Sequence, residues 1–492
     1  MPTTYVSTSI EGLDAVLGGP GLPANRLYLI EGDPGTGKTT LALQFLMAGI
    51  RRGEGALYVA LSETREELRV IAESHGWSLD GVDVYEIAPE ENLQPDAQYT
   101  VFHPSELELG ATMKGFLDHV DRTRPVRVVF DSLSEMRLLA GSALRYRRQI
   151  LALKQFFAAR GGTVLLLDDR TAEGPDLQLQ SIAHGVITLQ TLAPEYGGAR
   201  RRLRIMKIRG VDFQAGYHDY TIERGGLRVF PRLVAAHHTG AFSEDTVATG
   251  VAALDALFGG GLVRGTTTLF LGPAGSGKSL VSAQIATQAA RRGENVAIFL
   301  FDEGLDTFMR GTRGIGLELA PLVEAGRITV QQINPAELSP GQFVHTVRDA
   351  VERRQVSTVV IDSLNGYMNS MPEERLLVTH LHELFAYLRQ CGVLTLAVMS
   401  QHGMVGRTEN TVDVSYLADA VVLLRYFEAA GSVHKAMSMM KKRASRHETT
   451  IRELFIRDTG IALGPLLNDF RGVLTGIPEQ LGGAATGSVV RD

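Results

Sequence analysis

Two stretches of this chain have the residue types and spacing to hold phosphate. Gly32, Asp33, Pro34, Gly35, Thr36, Gly37, Lys38, Thr39 and Thr40 form the first, within IEGDPGTGKTTLALQF. Gly272, Pro273, Ala274, Gly275, Ser276, Gly277, Lys278, Ser279 and Leu280 form the second, within FLGPAGSGKSLVSAQI. Both satisfy G-x-x-x-x-G-K-[ST]. Glycines let the backbone bend until its N–H groups face an anion, and the helix that follows presents the positive end of its dipole. The lysine adds a point charge for β and γ phosphates, while the Thr39 or Ser279 hydroxyl is placed to ligate Mg2+. A chance glycine-rich turn is the rival reading for one match. Two matches, each after an apolar strand and before a helical pattern, point to a magnesium-bound nucleoside triphosphate.

Phosphoryl chemistry also needs acids. VRVVFDSLSEM and STVVIDSLNGY each finish an apolar strand in Asp, and Asp131 and Asp362 are expected to support the metal beside Thr39 and Ser279. Capping of the next helix is the alternative. Where the strand after each cradle helix ends stand Ser62 and Glu63 in VALSET, and Asp302 and Glu303 in LFDEG. Glu63, Glu303 and Asp302 are the candidates to orient or deprotonate an attacking water, with surface caps as the plainer reading.

The elements that must position these groups occur twice. Gly32 to Gly272 and Glu63 to Glu303 are each a shift of 240, Asp131 to Asp362 is 231, and Lys207 to Lys441 is 234. Such a constant offset marks a duplicated domain. Each half alternates short apolar strands with amphipathic helices, the pattern of a mainly parallel twisted sheet flanked by helices, so the fold class is α/β. Strands are expected near Leu27–Ile30, Leu57–Ala60, Val126–Phe130 and Val164–Leu167, and again near Thr268–Leu271, Ala297–Phe301, Thr358–Ile361 and Leu394–Val398. LALQFLMAGIRR and LVSAQIATQAARR have helical spacing and stop at Gly53 and Gly293, where left-handed caps fit. Residues 1–235 and 246–475 are expected to be two ATPase domains, with 476–492 a flexible tail.

At 492 residues, with 44% apolar and 21% charged side chains, the chain can bury more than one core. The formal charge of −6 gives no broad footprint for nucleic acid. No run approaches a membrane helix, and a lone Cys391 suits a reducing cytoplasm.

Further stretches carry a family likeness: ESHGW at Glu73–Trp77, FDSLSEM, ADAVVLLRYFE at Ala418–Glu428 and KKRASRHETTIRELFIRDTG at Lys441–Gly460. With the paired cradles they make residues 5 to 475 resemble the KaiC family of double-domain ATPases and autokinases, within the RecA-like superfamily. The resemblance implies two RecA-like domains, ATP as the nucleotide and a homohexameric double ring with ATP at subunit interfaces. Lys207, Arg209, Lys441 and Arg443 would then reach the neighbour's γ phosphate. It further implies nucleotide contacts by Ser74, Ser445 and His447; Val211 and Phe213 stand at the latter two positions in the first half. Ser62 and Asp302 each replace one of two adjacent family glutamates. Ser415 and Tyr416 occupy the family's phosphoacceptor positions, and Ile315 stands where its second domain has an aromatic.

The implied function is a ring ATPase that autophosphorylates in its second domain and signals through regulatory partners, in clock-like regulation. A switch or scaffold without a kinase step is the alternative. A DNA-dependent ATPase is the third reading, supported by GGARRRLRIMKIRG and opposed by the acidic balance.

Overall fold

Strands LYLIEG and RVVFD are buried at every position, unlike the half-exposed alternation of an edge strand. Such runs belong in the middle of a parallel sheet covered on both faces. In the computed structural model they lie there. The structure describes residues 4–87, 104–170, 177–193, 197–238, 240, 245–369, 374–401, 414–443, 445–475 and 479–480. The chain divides into two units, Met1–Arg232 and Leu233–Asp492.

The first unit is built on a nine-stranded sheet. In chain order its strands are β1 (Leu27–Gly32), β2 (Ala56–Ala60), β3 (Val82–Glu86), β4 (Arg127–Asp131), β5 (Thr163–Asp169), β6 (Gly185–Leu192), β7 (Arg200–Ile208), β8 (Tyr217–Glu223) and β9 (Gly226–Phe230). Their spatial order is β9-β8-β7-β6-β1-β5-β4-β2-β3. The six from β6 to β3 pair in parallel, and β7, β8 and β9 extend the sheet antiparallel.

Alternate residues of β1 feed opposite layers, as the strand's period of two requires. Tyr28 and Ile30 pack with Leu43 and Phe45 of helix α1 (Lys38–Ile50). Leu27 and Leu29 face Met136 of α2 (Leu133–Ala140) and Phe157 of α3 (Ala143–Arg160). Gly53, just beyond α1, has the left-handed φ of 73° that its cap position suggested. The fully buried Arg127 pins this helix: its guanidinium donates to Phe45 O at 2.7 Å and to Glu54 Oε2 at 2.5 Å.

The second unit repeats the plan, in the order β12-β11-β13-β14-β10-β15-β16-β17-β18. These strands are β10 (Thr267–Gly272), β11 (Asn295–Leu300), β12 (Ile328–Gln332), β13 (Val356–Asp362), β14 (Leu394–Ser400), β15 (Ala420–Ala429), β16 (Ser432–Lys442), β17 (Ile451–Arg457) and β18 (Gly460–Leu466). Helix α4 (Lys278–Arg291) follows β10 as α1 follows β1. The α/β class and the two mainly parallel sheets expected from the repeat are what the chain forms. Of the stretch 476–492, only Glu479 and Gln480 lie within the described residues, and they pair with Phe470 and Arg471. Among the described residues no helix is long and apolar enough to cross a membrane.

Candidate functional site

The carboxyl ends of the parallel strands line one edge of each sheet, where open α/β sheets hold their ligands. Gly32 lies opposite Asp169, and Ala60 opposite Asp131. In the second unit Gly272 lies opposite Ser400, and Leu300 opposite Asp362. Each glycine-rich loop leaves this edge and enters a helix at a glycine with left-handed φ, 90° at Gly37 and 105° at Gly277. A Cβ there would stand 2.5 Å from Ile222 Cδ1 or 2.7 Å from Ile456 Cδ1, so both conformation and space demand glycine.

Both lysines fold back onto their loops. Lys38 Nζ donates to Gly32 O at 2.9 Å and Asp33 O at 3.1 Å, and Lys278 Nζ to Gly272 O at 2.9 Å and Pro273 O at 2.7 Å. Tyrosines brace the loop carbonyls: Tyr220 Oη donates to Thr36 O at 2.6 Å, and Tyr426 Oη to Ala274 O at 3.1 Å. Thr36 Oγ1 closes its loop on Asp33 O at 2.8 Å, and Leu280 packs against the second unit's core.

Thr39 Oγ1 donates to Asp131 Oδ2 at 3.1 Å, and the Tyr58 hydroxyl donates to the same oxygen. Burial pushes the Asp131 carboxyl up, and those two hydroxyls oppose the push. Asp362 is pushed up to about 6 by burial, against the pull of the Ser279 hydroxyl and the Lys278 charge. Burial also draws Lys278 down to about 8. The peptides Asp131–Ser132 and Asp362–Ser363 are both cis. A hydroxyl and a carboxylate, both hard oxygen donors, thus meet beside each lysine, which fits Mg2+ shared with phosphate oxygens.

Glu63 is raised to about 7, first by burial and then by Asp131, Glu67 and Asp169; its Oε2 is buried with no hydrogen bond among the described residues. Glu303 is raised by burial. Asp302 is exposed and accepts from the Ser363 hydroxyl.

The basic candidates sit elsewhere. Lys207 pairs with Val186, level with Leu29 near the start of β1, and Arg209 N donates to His184 O below it. Lys441 pairs with Val421, level with Leu269, and Arg443 N donates to Asp419 O. At about 3.3 Å per residue these positions lie roughly 10–17 Å along the strand from their own unit's loop glycine. The cations therefore stand at the amino edge of the sheet, and the cradle at the carboxyl edge. Lys441 Nζ donates to Ser415 O at 3.1 Å and Ala418 O at 2.9 Å, while Arg443 donates to Tyr416 O at 2.9 Å. The basic pair and the two candidate phosphoacceptors are thereby brought together. Arg209 donates to Ser181 O at 2.6 Å. Ser74 bonds within its own helix, to Ile71 O at 2.7 Å; Ser445 is exposed and His447 half-buried. In the arginine run, Arg202 and Arg204 lie over the Tyr217 ring at 4.1 and 5.2 Å.

Two neighbours of the first cradle went unread in the sequence, Tyr58 and Asp169. Asp169 Oδ1 lies 2.6 Å from Lys38 Nζ. The signal for it was present in TVLLLDD, an apolar strand ending in acid as VRVVFD does.

The family described as "ATPase: KaiC" matches residues 6–234 and 247–468. The chain is 26% identical to the circadian clock protein KaiC3 of Synechocystis sp., over 96% of this chain and 94% of that one. It is also 26% identical to the circadian clock oscillator protein KaiC of Synechococcus elongatus, over 96% of this chain and 92% of that protein.

Proposed function

The chain belongs to the KaiC family of ATPases, and from that membership we propose a ring-forming enzyme that hydrolyses ATP at both cradles and transfers phosphate to Ser415 or Tyr416 at the second. The observation that carries this reading is the separation of cradle and cations to opposite edges of one sheet. Lys441 and Arg443 are held beside Ser415 and Tyr416, far from the Lys278 of their own unit. They can serve a γ phosphate only if another copy presents its cradle to them. Head-to-tail contact of that kind gives a ring when the rotation between copies closes, and a closed ring of six is what the family resemblance implies.

In this reading each lysine exchanges its loop carbonyls for β and γ phosphate oxygens. Thr39 with Asp131, and Ser279 with Asp362, would hold Mg2+, which when bound neutralises phosphate charge. Glu63 and Glu303 take the proton of the water that attacks the γ phosphorus, and ADP leaves. A buried carboxyl titrating near neutrality suits that exchange. In autophosphorylation the Ser415 or Tyr416 hydroxyl replaces water, and its proton passes to Glu303 or Asp302. Lys207, Arg209, Lys441 and Arg443 stabilise charge on the transferred group across the interface. Ser74, Ser445 and His447 remain further nucleotide contacts of this proposal. So do a cytoplasmic setting, regulatory protein partners and a clock-like role, the last supported by the names of the relatives. With Arg202 and Arg204 engaged on Tyr217, the arginine run offers little support to DNA binding.

Subunit mixing tests the proposal. Lys278→Ala keeps the cations and loses the cradle lysine; Arg443→Ala does the reverse. Each, in a Glu63→Gln background, should be inactive alone. Their equimolar mixture should recover about a quarter of the Glu63→Gln rate, the share of interfaces joining two intact halves in a randomly mixed ring. No recovery would refute a shared site. A phosphopeptide containing Ser415 or Tyr416 should appear with Mg-ATP and vanish in Lys278→Ala.

A further inference from the structure

The amino edge of the first unit holds more basic groups than the Lys-x-Arg pair that the sequence displays. Lys154, on α3, donates through Nζ to Ile182 O at 2.7 Å, and Arg209 donates to the preceding carbonyl, Ser181 O, at 2.6 Å. Both cap the end of the short helix Leu177–Ile182, whose last carbonyls carry partial negative charge. Two residues on, His184 N donates to Leu27 O at 2.8 Å, which fixes the group at the start of β1. Helix α3 and strand β7 thus bring Lys154 and Arg209 onto neighbouring carbonyls at the edge where Lys207 also stands.

Like charge gathers here without acid. Burial draws the Lys154 ammonium down, and Arg209 and Arg26 draw it further; Lys207 is drawn down by burial, then by Arg209 and Lys154. Among the described residues no carboxylate pairs with Lys154, Lys207 or Arg209. The second unit arranges the matching edge differently. Val164 pairs with Leu27 and Thr395 with Thr267, so Lys154, ten residues before Val164, corresponds to Phe385, which is buried in the core. His184 likewise corresponds to Asp419, each just before the residue paired four positions ahead of the loop glycine. Asp419 accepts from Arg389 at 3.0 Å and lies 3.9 Å from Arg443. The second unit therefore neutralises part of its basic edge from within, and the first leaves its cations to an anion from outside. Mutually repelling cations held half-buried mark a place that an anion would relieve.

We propose that Lys154 is a third cation offered across the subunit interface to the γ phosphate held by the neighbouring copy's first cradle, acting with Lys207 and Arg209. The inference rests on the reading of a site shared between copies and deepens it, since it adds a residue from a helix that the Lys-x-Arg spacing does not reach and restricts that residue to the first unit.

Subunit mixing in a Glu303→Gln background tests this, with ATPase rates taken above that of Lys38→Ala in the same background. Lys154→Gln removes the charge and keeps a donor for Ile182 O, so a helix cap alone would survive it. It should lower the rate about tenfold or more. Mixed with equal Lys38→Ala, which has the cations and lacks the cradle lysine, it should recover about a quarter of the background rate, against roughly a twentieth from averaging the two components. Arg209→Ala mixed with Lys38→Ala is the control for the shared site. An unchanged rate in Lys154→Gln overturns the proposal. So does a loss accounted for by fewer rings, sized by light scattering with the non-hydrolysable analogue AMPPNP and Mg2+. Recovery in the Arg209→Ala mixture but not in that of Lys154→Gln places Lys154 in the service of its own copy, which refutes the proposal and leaves the shared site standing. Recovery in neither overturns both. Should Lys154→Gln fail to fold, Lys154→Met in the same mixture decides by the same outcomes.

Discussion

Both cradle lysines donate to carbonyls of their own loop, but the first has a carboxylate against it as well. Asp169 pairs with Lys38, and the Tyr58 hydroxyl joins Thr39 on Asp131. At the corresponding places the second unit has Ser400 and, two residues before Leu300 on β11, the apolar Ile298. Its Asp362 and Lys278 answer to burial and to each other, shifted up to about 6 and down to about 8. Both units keep the loop glycines, the lysine, the helix that follows and a hydroxyl beside a carboxylate, the groups that shape a phosphate cradle. The side chains around the lysine diverge, and those set how tightly that geometry is locked before nucleotide arrives.

The largest effect should come from the two strand-end acids. Glu63→Gln in Lys278→Ala, and Glu303→Gln in Lys38→Ala, should each cut the remaining ATPase rate by about 10²–10⁴, with AMPPNP binding retained. A drop in only one background would show that a single unit hydrolyses ATP. Stability in the absence of nucleotide should separate the lysines next. Lys38→Ala leaves Asp169 without its cation and should lower unfolding free energy by roughly 1–3 kcal/mol. Lys278→Ala removes a buried charge that forms no ion pair among the described residues, so denaturant unfolding should show little loss or a gain.

The pH dependence is sharper for the first unit. Glu63 is raised to about 7, so at pH 6 it is mostly protonated and accepts no proton; it ionises as pH rises through 7. ATPase activity of Lys278→Ala should therefore climb about tenfold from pH 6 to pH 8. A flat profile would remove Glu63 as the base. Smallest should be Tyr58→Phe, which deletes one hydrogen bond to Asp131 and should cost about 0.5–1.5 kcal/mol in the same unfolding assay. The same loss on changing Ile298 to another apolar residue would show that packing, and not the hydroxyl, is what matters at this position.

The cradles were legible because every residue they need falls within one loop and the first turn of its helix. Asp131 and Asp362 were legible for a related reason: an acid closing a strand of buried residues stands out against its apolar run. Tyr58 was not, since a tyrosine in ALYVA reads as one more core residue until β2 and β4 are paired in register. Nor was Asp169, although its strand ends as β4 does, because nothing in the sequence says that β5 lies beside β1. The basic residues show a third case. Their spacing as Lys-x-Arg was plain, but that they stand at the far edge of the sheet from their own loop follows only from the antiparallel turn of β7 and β16.

Local order in the chain was therefore sufficient for the duplication, the α/β class and the two glycine-bent loops, since periodicity, turn chemistry and contiguous motifs act over a few residues. Which acid meets which lysine, and which cations turn away from their own cradle, depended on strand order and register. Those pair residues distant in the chain through backbone hydrogen bonds that carry no mark in the side-chain sequence.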